Sequence, residues 1–264
     1  YNNAGIVLNK QFVQPFDDIP EILNFTNLAD EIHNLWFDEA IFNGVYPSQT
    51  LDLFSQYMPN NYEKDLVKIS QPLDWVGINY YTRSLIKIDP TESFLGYKSV
   101  NGDLDVTDMG WEVFPKGLRF LIERFHNKYS KKIPIYVTEN GMASNDVIQD
   151  GKIKDFKRIK FYSDHLIECI KLLEKDIPLK GYFAWSLLDN FEWAYGYSKR
   201  FGIVYVDFNN LKRIPKLSWK EFRKHLKWKK NEIFQKIECL YFFFRMPILW
   251  AEIACFSIKL TNHI

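Results

Sequence analysis

In the stretch IYVTENGMAS, residues 135–144, a β-forming run ends on a single carboxylate, Glu139, followed by Asn-Gly. A strand of this kind buries its side chains, and a carboxylate there is costly unless it is partnered. Such a group either caps the following turn or does chemistry, as a nucleophile or a proton carrier. A second run, DWVGINYYT (74–82), carries polar groups at the right spacing to serve it. Side chains alternate along a strand, so Trp75, Gly77, Asn79 and Tyr81 share one face, and Ile135, Val137 and Glu139 share another. If both faces point into one barrel interior, Asn79, Tyr81 and Glu139 converge at its mouth, where barrel enzymes keep their reacting groups. A tyrosine hydroxyl there would orient the glutamate and stabilise its charge. The alternative for Asn79 and Tyr81 is an ordinary polar strand end.

The elements that would position these residues alternate. GIVLN (5–9), DWVGINYYT, IPIYVTENG (133–141) and KGYFAWSLLDN (180–190) read as short buried strands. PKGLRFLIERFHNKYS reads as an amphipathic helix with Pro115 near its start and Leu118, Leu121, Ile122, Phe125 and Tyr129 on one face. Residues 155–176 read as another, with Ile159, Tyr162, Leu166, Ile170 and Leu173 inward. Strands alternating with such helices predict βα units and a parallel sheet whose carboxyl ends carry function.

The 264 residues suffice for a substantial core, with 47% hydrophobic content. The 34 basic residues nearly cancel 33 acidic ones without forming a block, which argues against nucleic acid as a partner. Cys169, Cys239 and Cys255 have neither disulfide-framework nor metal-ligand spacing, so a reducing, cytoplasmic setting is expected. Aromatic residues make up 17% of the chain, including eight Trp, a composition suited to a ring-lined cleft for a small ligand.

From GIVLN through NLWFDEAIFNGVYP, LDWVGINYYTRS, GWEVFPKGL, PIYVTENGMA and GYFAWSLLDNFEWAYGYSKRFGIVYVDF to LKRIPKLS, the chain resembles the C-terminal half of a glycoside hydrolase family 1 β-glucosidase over roughly residues 4–226. The resemblance implies an α/β fold, a (β/α)8 TIM barrel of which about strands 5–8 lie in residues 1–228. It also implies retaining hydrolysis of neutral β-glucosides by double displacement, with Glu139 as nucleophile and Asn79 and Tyr81 beside the sugar 2-hydroxyl and the nucleophile. Trp185 and Trp193 resemble walls of the glycone pocket, Glu192 a carboxylate that accepts from remote sugar hydroxyls, and Phe201 a residue closing the same pocket. Trp111 resembles an aglycone platform. Core packing is the competing reading for each of these aromatics. Glu192 disfavours a 6-phosphorylated sugar, because a buried anion repels phosphate. No metal or organic cofactor is called for, since two carboxylates and a water suffice.

The resemblance places the acid/base carboxylate in an Asn-Glu-Pro motif ahead of Tyr1. Asn231-Glu232 is followed by Ile233 in a Lys-rich tail and reads as a solvated face. An isolated half-barrel is expected to turn over little and to leave two parallel sheet edges open. The alternative function is a catalytically inactive relative that binds a sugar or a protein. The tail, 229–264, departs from the family. Its apolar run CLYFFFRMPILWAEIACFSIKL is interrupted by Arg245, Pro247 and Glu252, which disfavours a membrane span. Sequence beyond a fragment boundary and an added packing helix are the other readings.

Overall fold

The computed structural model describes residues 3–91, 94–129, 133–227 and 256–259. The sheet is built from β1 (Gly5–Pro15), β2 (Trp75–Ile88), β3 (Tyr97–Val100), β4 (Ile135–Asn140) and β5 (Leu179–Ala184). Strands β1, β2, β4 and β5 are parallel and adjacent in that order, which is the arrangement that successive βα units produce. Strand β3 pairs antiparallel with the far end of β2.

After β1 come α1 (Pro20–Asp30), a π-helical turn at Glu31–Leu35, α2 (Trp36–Asn43), α3 (Ser48–Phe54) and α4 (Tyr62–Ile69). Helix α5 (Pro115–Tyr129) precedes β4, and α6 (Phe156–Leu173) precedes β5. A hairpin of β6 (Val204–Val206) and β7 (Arg213–Pro215) leads into α7 (Leu217–Lys227). Leu8, Val76, Ile78, Tyr80, Ile135, Val137 and Tyr182 face the helices and form one core with Leu118, Ile122 and Phe125 of α5 and Phe161 and Leu172 of α6. Lys10 also points to this side and is buried against Asp38 of α2, which ties β1 to its helices. On the opposite face Val7 is 45% exposed, and Trp75, Asn79, Tyr81 and Tyr136 are half-buried.

Three expectations change. Strict alternation holds in β2, but Ile135, Val137 and Glu139 do not share a face. Ile135 and Val137 lie in the helix-facing core, and a β-bulge then intervenes: Ile78 pairs with Val137 and Asn79 with Glu139, leaving Thr138 as an extra residue. The bulge turns Glu139 onto the inner face. Helix α6 buries Arg158, Phe161, Tyr162, His165, Cys169 and Leu172, whereas Ile159, Leu166, Ile170 and Leu173 are half-buried. Its inward stripe contains a paired arginine and a neutral histidine, which hydrophobic periodicity does not count. Finally, the β5 edge is not open, because β8 (Phe256–Lys259) pairs with it antiparallel. The rest of the tail, including Asn231-Glu232, lies outside the described residues. Among the described residues no helix is long and apolar enough to cross a membrane.

Candidate active site

Glu139, the penultimate residue of β4, is half-buried at the carboxyl edge of the sheet. The Tyr81 hydroxyl, two residues beyond the register partner of Glu139 on β2, donates to its Oε2 over 2.7 Å. Burial raises the Glu139 pKa, and the Tyr81 hydrogen bond, together with the amide of Asn79, its register partner, partly offsets the rise. The Tyr81 phenol is raised well above its usual range by burial and then by the Glu139 charge, so it stays a donor. Asn79 Oδ1 in turn accepts from Thr138 Oγ1 over 2.7 Å.

Two glycines make this corner possible. A Cβ on Gly77 would lie 2.6 Å from Thr138 Cγ2, so the bulged threonine needs a glycine beneath it. A Cβ on Gly141 would lie 1.8 Å from the Trp185 carbonyl oxygen, where the end of β5 crosses the chain leaving β4. Asn140, which Asn-Gly suggested as a turn residue, is instead fully buried at the end of β4. It donates to the Tyr80 carbonyl over 2.7 Å and accepts from the Tyr182 hydroxyl, joining three strands behind Glu139.

Aromatic rings surround Tyr81. Trp111 stands 5.5 Å from it and Phe201 6.1 Å, centroid to centroid, with 6.3 Å between Trp111 and Phe201. Trp111 is fixed by its neighbour Glu112, whose buried carboxylate accepts from Arg83 Nε at 2.7 Å and from the N–H groups of Gly102 and Leu104 at 2.9 and 3.0 Å. Burial pushes the Glu112 pKa up, but these donors outweigh it and hold it below the ordinary value.

Past β5, Trp185 is held through its backbone: its N–H donates to the Asn140 carbonyl at 2.9 Å, and its carbonyl accepts from Tyr162 at 3.0 Å. The Trp185–Ser186 peptide is cis. Glu192 lies within electrostatic reach of Glu139, and its pKa is raised by burial and by that neighbouring carboxylate. The structure thus gathers Asn79, Tyr81, Trp111, Glu139, Glu192 and Phe201 at one edge, with Trp185 at the adjoining strand end. Trp193 is different, standing 84% exposed.

The loop carrying Glu192 and Phe201 rests on a group of charges that sequence reading did not single out. Asp189 accepts from Arg200 at 2.7 Å and from Lys216 at 2.8 Å, and Lys216 also reaches Asp146. Arg158 bridges Asp146 at 2.8 Å and Asp155 at 2.6 Å. Three cations meet three carboxylates, so the cluster balances in charge. Its members were visible only as scattered charges in otherwise apolar blocks. Among the described residues no group of His, Cys, Asp and Glu could hold a metal.

The model of Glycosyl hydrolase family 1 matches residues 2–231. Beta-glucosidase A of Thermotoga maritima is 41% identical over 214 residues, covering 80% of this chain and 48% of that protein. The 6-phospho-beta-galactosidase of Clostridium acetobutylicum is 34% identical over 261 residues, 89% of this chain and 55% of the relative. The structure of the Thermotoga maritima beta-glucosidase in complex with deoxynojirimycin superposes with a TM-score of 0.81 at 39% identity, over 86% of this chain and 51% of that one. The chain therefore spans about half the length of these relatives. The family match over most of its residues, at these identities and with this fold, makes the chain a member of glycosyl hydrolase family 1.

Proposed function

We propose that this chain belongs to a retaining β-glycosidase acting on neutral β-glucosides, with Glu139 as the nucleophile. The observation that carries the reading is the Tyr81–Glu139 hydrogen bond at the carboxyl end of a parallel sheet, with the Asn79 amide alongside. In the retaining mechanism one carboxylate attacks the anomeric carbon and the leaving oxygen takes a proton from a second carboxyl group about 5–5.5 Å away. Water, deprotonated by that second group, then cleaves the glycosyl ester. Tyr81 keeps Oε2 occupied and the carboxylate plane fixed, leaving Oε1 to attack.

The second carboxyl group is assigned to the N-terminal half of the barrel, and this chain to the C-terminal half. The span of about half the relatives' length and the exposure of Val7 on the inner face of the sheet support this division. Trp185, Glu192, Trp193 and Phe201 are assigned to the glycone and Trp111 to the aglycone, with the substrate a small β-glycoside. Trp193, exposed at the rim, would gain its cover from bound sugar or the other half of the barrel. A free, buried Cys169 fits the reducing, cytoplasmic setting inferred from cysteine spacing. The name of the Clostridium relative favours a 6-phosphoglycoside as substrate, but Glu192 beside Glu139 opposes it, since a second anion there would repel phosphate. A binding-only role leaves the fixed, partly desolvated carboxylate without a use.

A 2-deoxy-2-fluoro-β-glucoside with a dinitrophenolate leaving group tests the reading, because that group departs without a proton and the fluorine slows hydrolysis of the ester. Mass spectrometry of the 264-residue chain should find the sugar on Glu139 and none on the Glu139→Gln variant. No adduct, or one that survives the substitution, overturns the assignment. The 6-phosphate analogue should label far more slowly.

A further inference from the structure

Thr138 has no partner residue in the β2–β4 register, yet its side chain is not idle. It lies on the inner face over Gly77, and its hydroxyl is 2.7 Å from Asn79 Oδ1. Asn79 is also the register partner of Glu139 across the two strands, and its amide acts to lower the pKa of that carboxyl, as a donor would. An ionised carboxylate can only accept, so Asn79 must present Nδ2 to Glu139, which leaves Oδ1 for Thr138. A threonine hydroxyl has one proton, and here it is donated to that oxygen. The carboxylate and the hydroxyl thus favour the same orientation of the amide, and without the hydroxyl Oδ1 loses its donor and the amide is held less firmly toward Glu139.

We propose that Thr138 is a positioning residue: the extra residue of the bulge steadies the Asn79 amide in the orientation that turns its Nδ2 toward Glu139. The same bulge that turns Glu139 inward thus also supplies the group that orients its neighbour. The inference deepens the reading of Glu139 as the reacting carboxylate and rests on it. Glu139 is faced by Asn79 and Tyr81 from β2 and by Glu192 from the loop after β5.

The experiment is a carbon-13 NMR titration of the whole chain labelled at the glutamate carboxyl carbons, with Glu139 and Glu192 assigned by their Gln variants. Thr138→Val removes the hydroxyl at nearly constant shape and should raise the Glu139 midpoint by about one pH unit, the size expected for loss of one hydrogen bond to a charge. Thr138→Ser should restore the wild-type midpoint. In an Asn79→Ala background, Thr138→Val should shift nothing further, since its effect passes through the amide. Thr138→Ala makes the same deletion with less bulk and replaces Thr138→Val if that variant does not fold. An unchanged midpoint in the hydroxyl-free variants, a serine variant displaced as far as they are, or a full shift in the Asn79→Ala background would each overturn the proposal. The titration needs no sugar, so failure of covalent labelling would count against the enzymatic reading and leave this test to be decided separately.

Discussion

Glu139 is held between opposing effects, and the balance determines how it reacts. Burial favours the neutral acid, while the Tyr81 hydroxyl and the Asn79 amide favour the anion. A nucleophile needs to be ionised yet not fully stabilised, and partial desolvation opposed by the Tyr81 hydroxyl and the Asn79 amide meets both needs. Removing one donor tests this directly. Tyr81→Phe should raise the Glu139 pKa further, so the pH at which covalent labelling reaches half its maximum moves upward. The maximal labelling rate should fall about 10- to 100-fold, the scale of a lost hydrogen bond to a charged group. An unchanged pH profile would mean that the hydroxyl is not supporting the charge.

At the scale of the element, α6 shows what a buried polar face costs and how the cost is met. His165 is fully buried, with Nδ1 2.7 Å from the Phe161 carbonyl and its ring 4.0 Å from that of Phe161. Its Nε2 has no hydrogen-bond partner among the described residues, so the pocket accepts only the neutral ring. Burial accordingly lowers its pKa to about 4 from the ordinary 6.5. The unfolded chain takes up this proton below pH of about 6.5, and the folded chain resists until about 4, so stability is full above the upper value and is lost as pH falls between the two. The contribution is about 3 kcal/mol across that window. Urea unfolding at stepped pH should show His165→Gln losing stability less steeply than the wild type between these values. Parallel curves would show that His165 does not titrate on unfolding.

At the scale of the whole molecule, the Lys216 cluster joins the loop after β4, helix α6, the loop after β5 and the segment entering α7. Ser218 completes the join, its N–H donating to Asp155 at 2.8 Å. Lys216 is fully buried, and its charge is balanced by Asp146 and Asp189. Lys216→Met would leave two buried carboxylates short of a cation, at a cost of about 3–5 kcal/mol. Urea unfolding should register that loss, and a loss under about 1 kcal/mol would mean that the cluster relaxes without it. Because the cluster underlies Glu192 and Phe201, the variant should also loosen the loop that carries them, measurable as faster amide exchange there.

Much of this protein was legible in the chain itself. Four strands, helices α5 and α6, and the grouping of Asn79 and Tyr81 on one face all follow from local periodicity, which depends only on near neighbours. Glu139 stood out because a carboxylate ending an apolar strand needs a reason. The tertiary structure decided what pairing between distant segments controls. Alternation alone would have placed Glu139 on the same side as Val137, and only the register against β2, with Thr138 left over, turns it toward Tyr81. Asn140 became a tie between strands, not a turn, because Tyr80 and Tyr182 lie on either side of it. The inward face of α6 and the charges around Lys216 were hidden for the same physical reason: a buried polar group is tolerable only with partners, and those partners lie far away in the sequence.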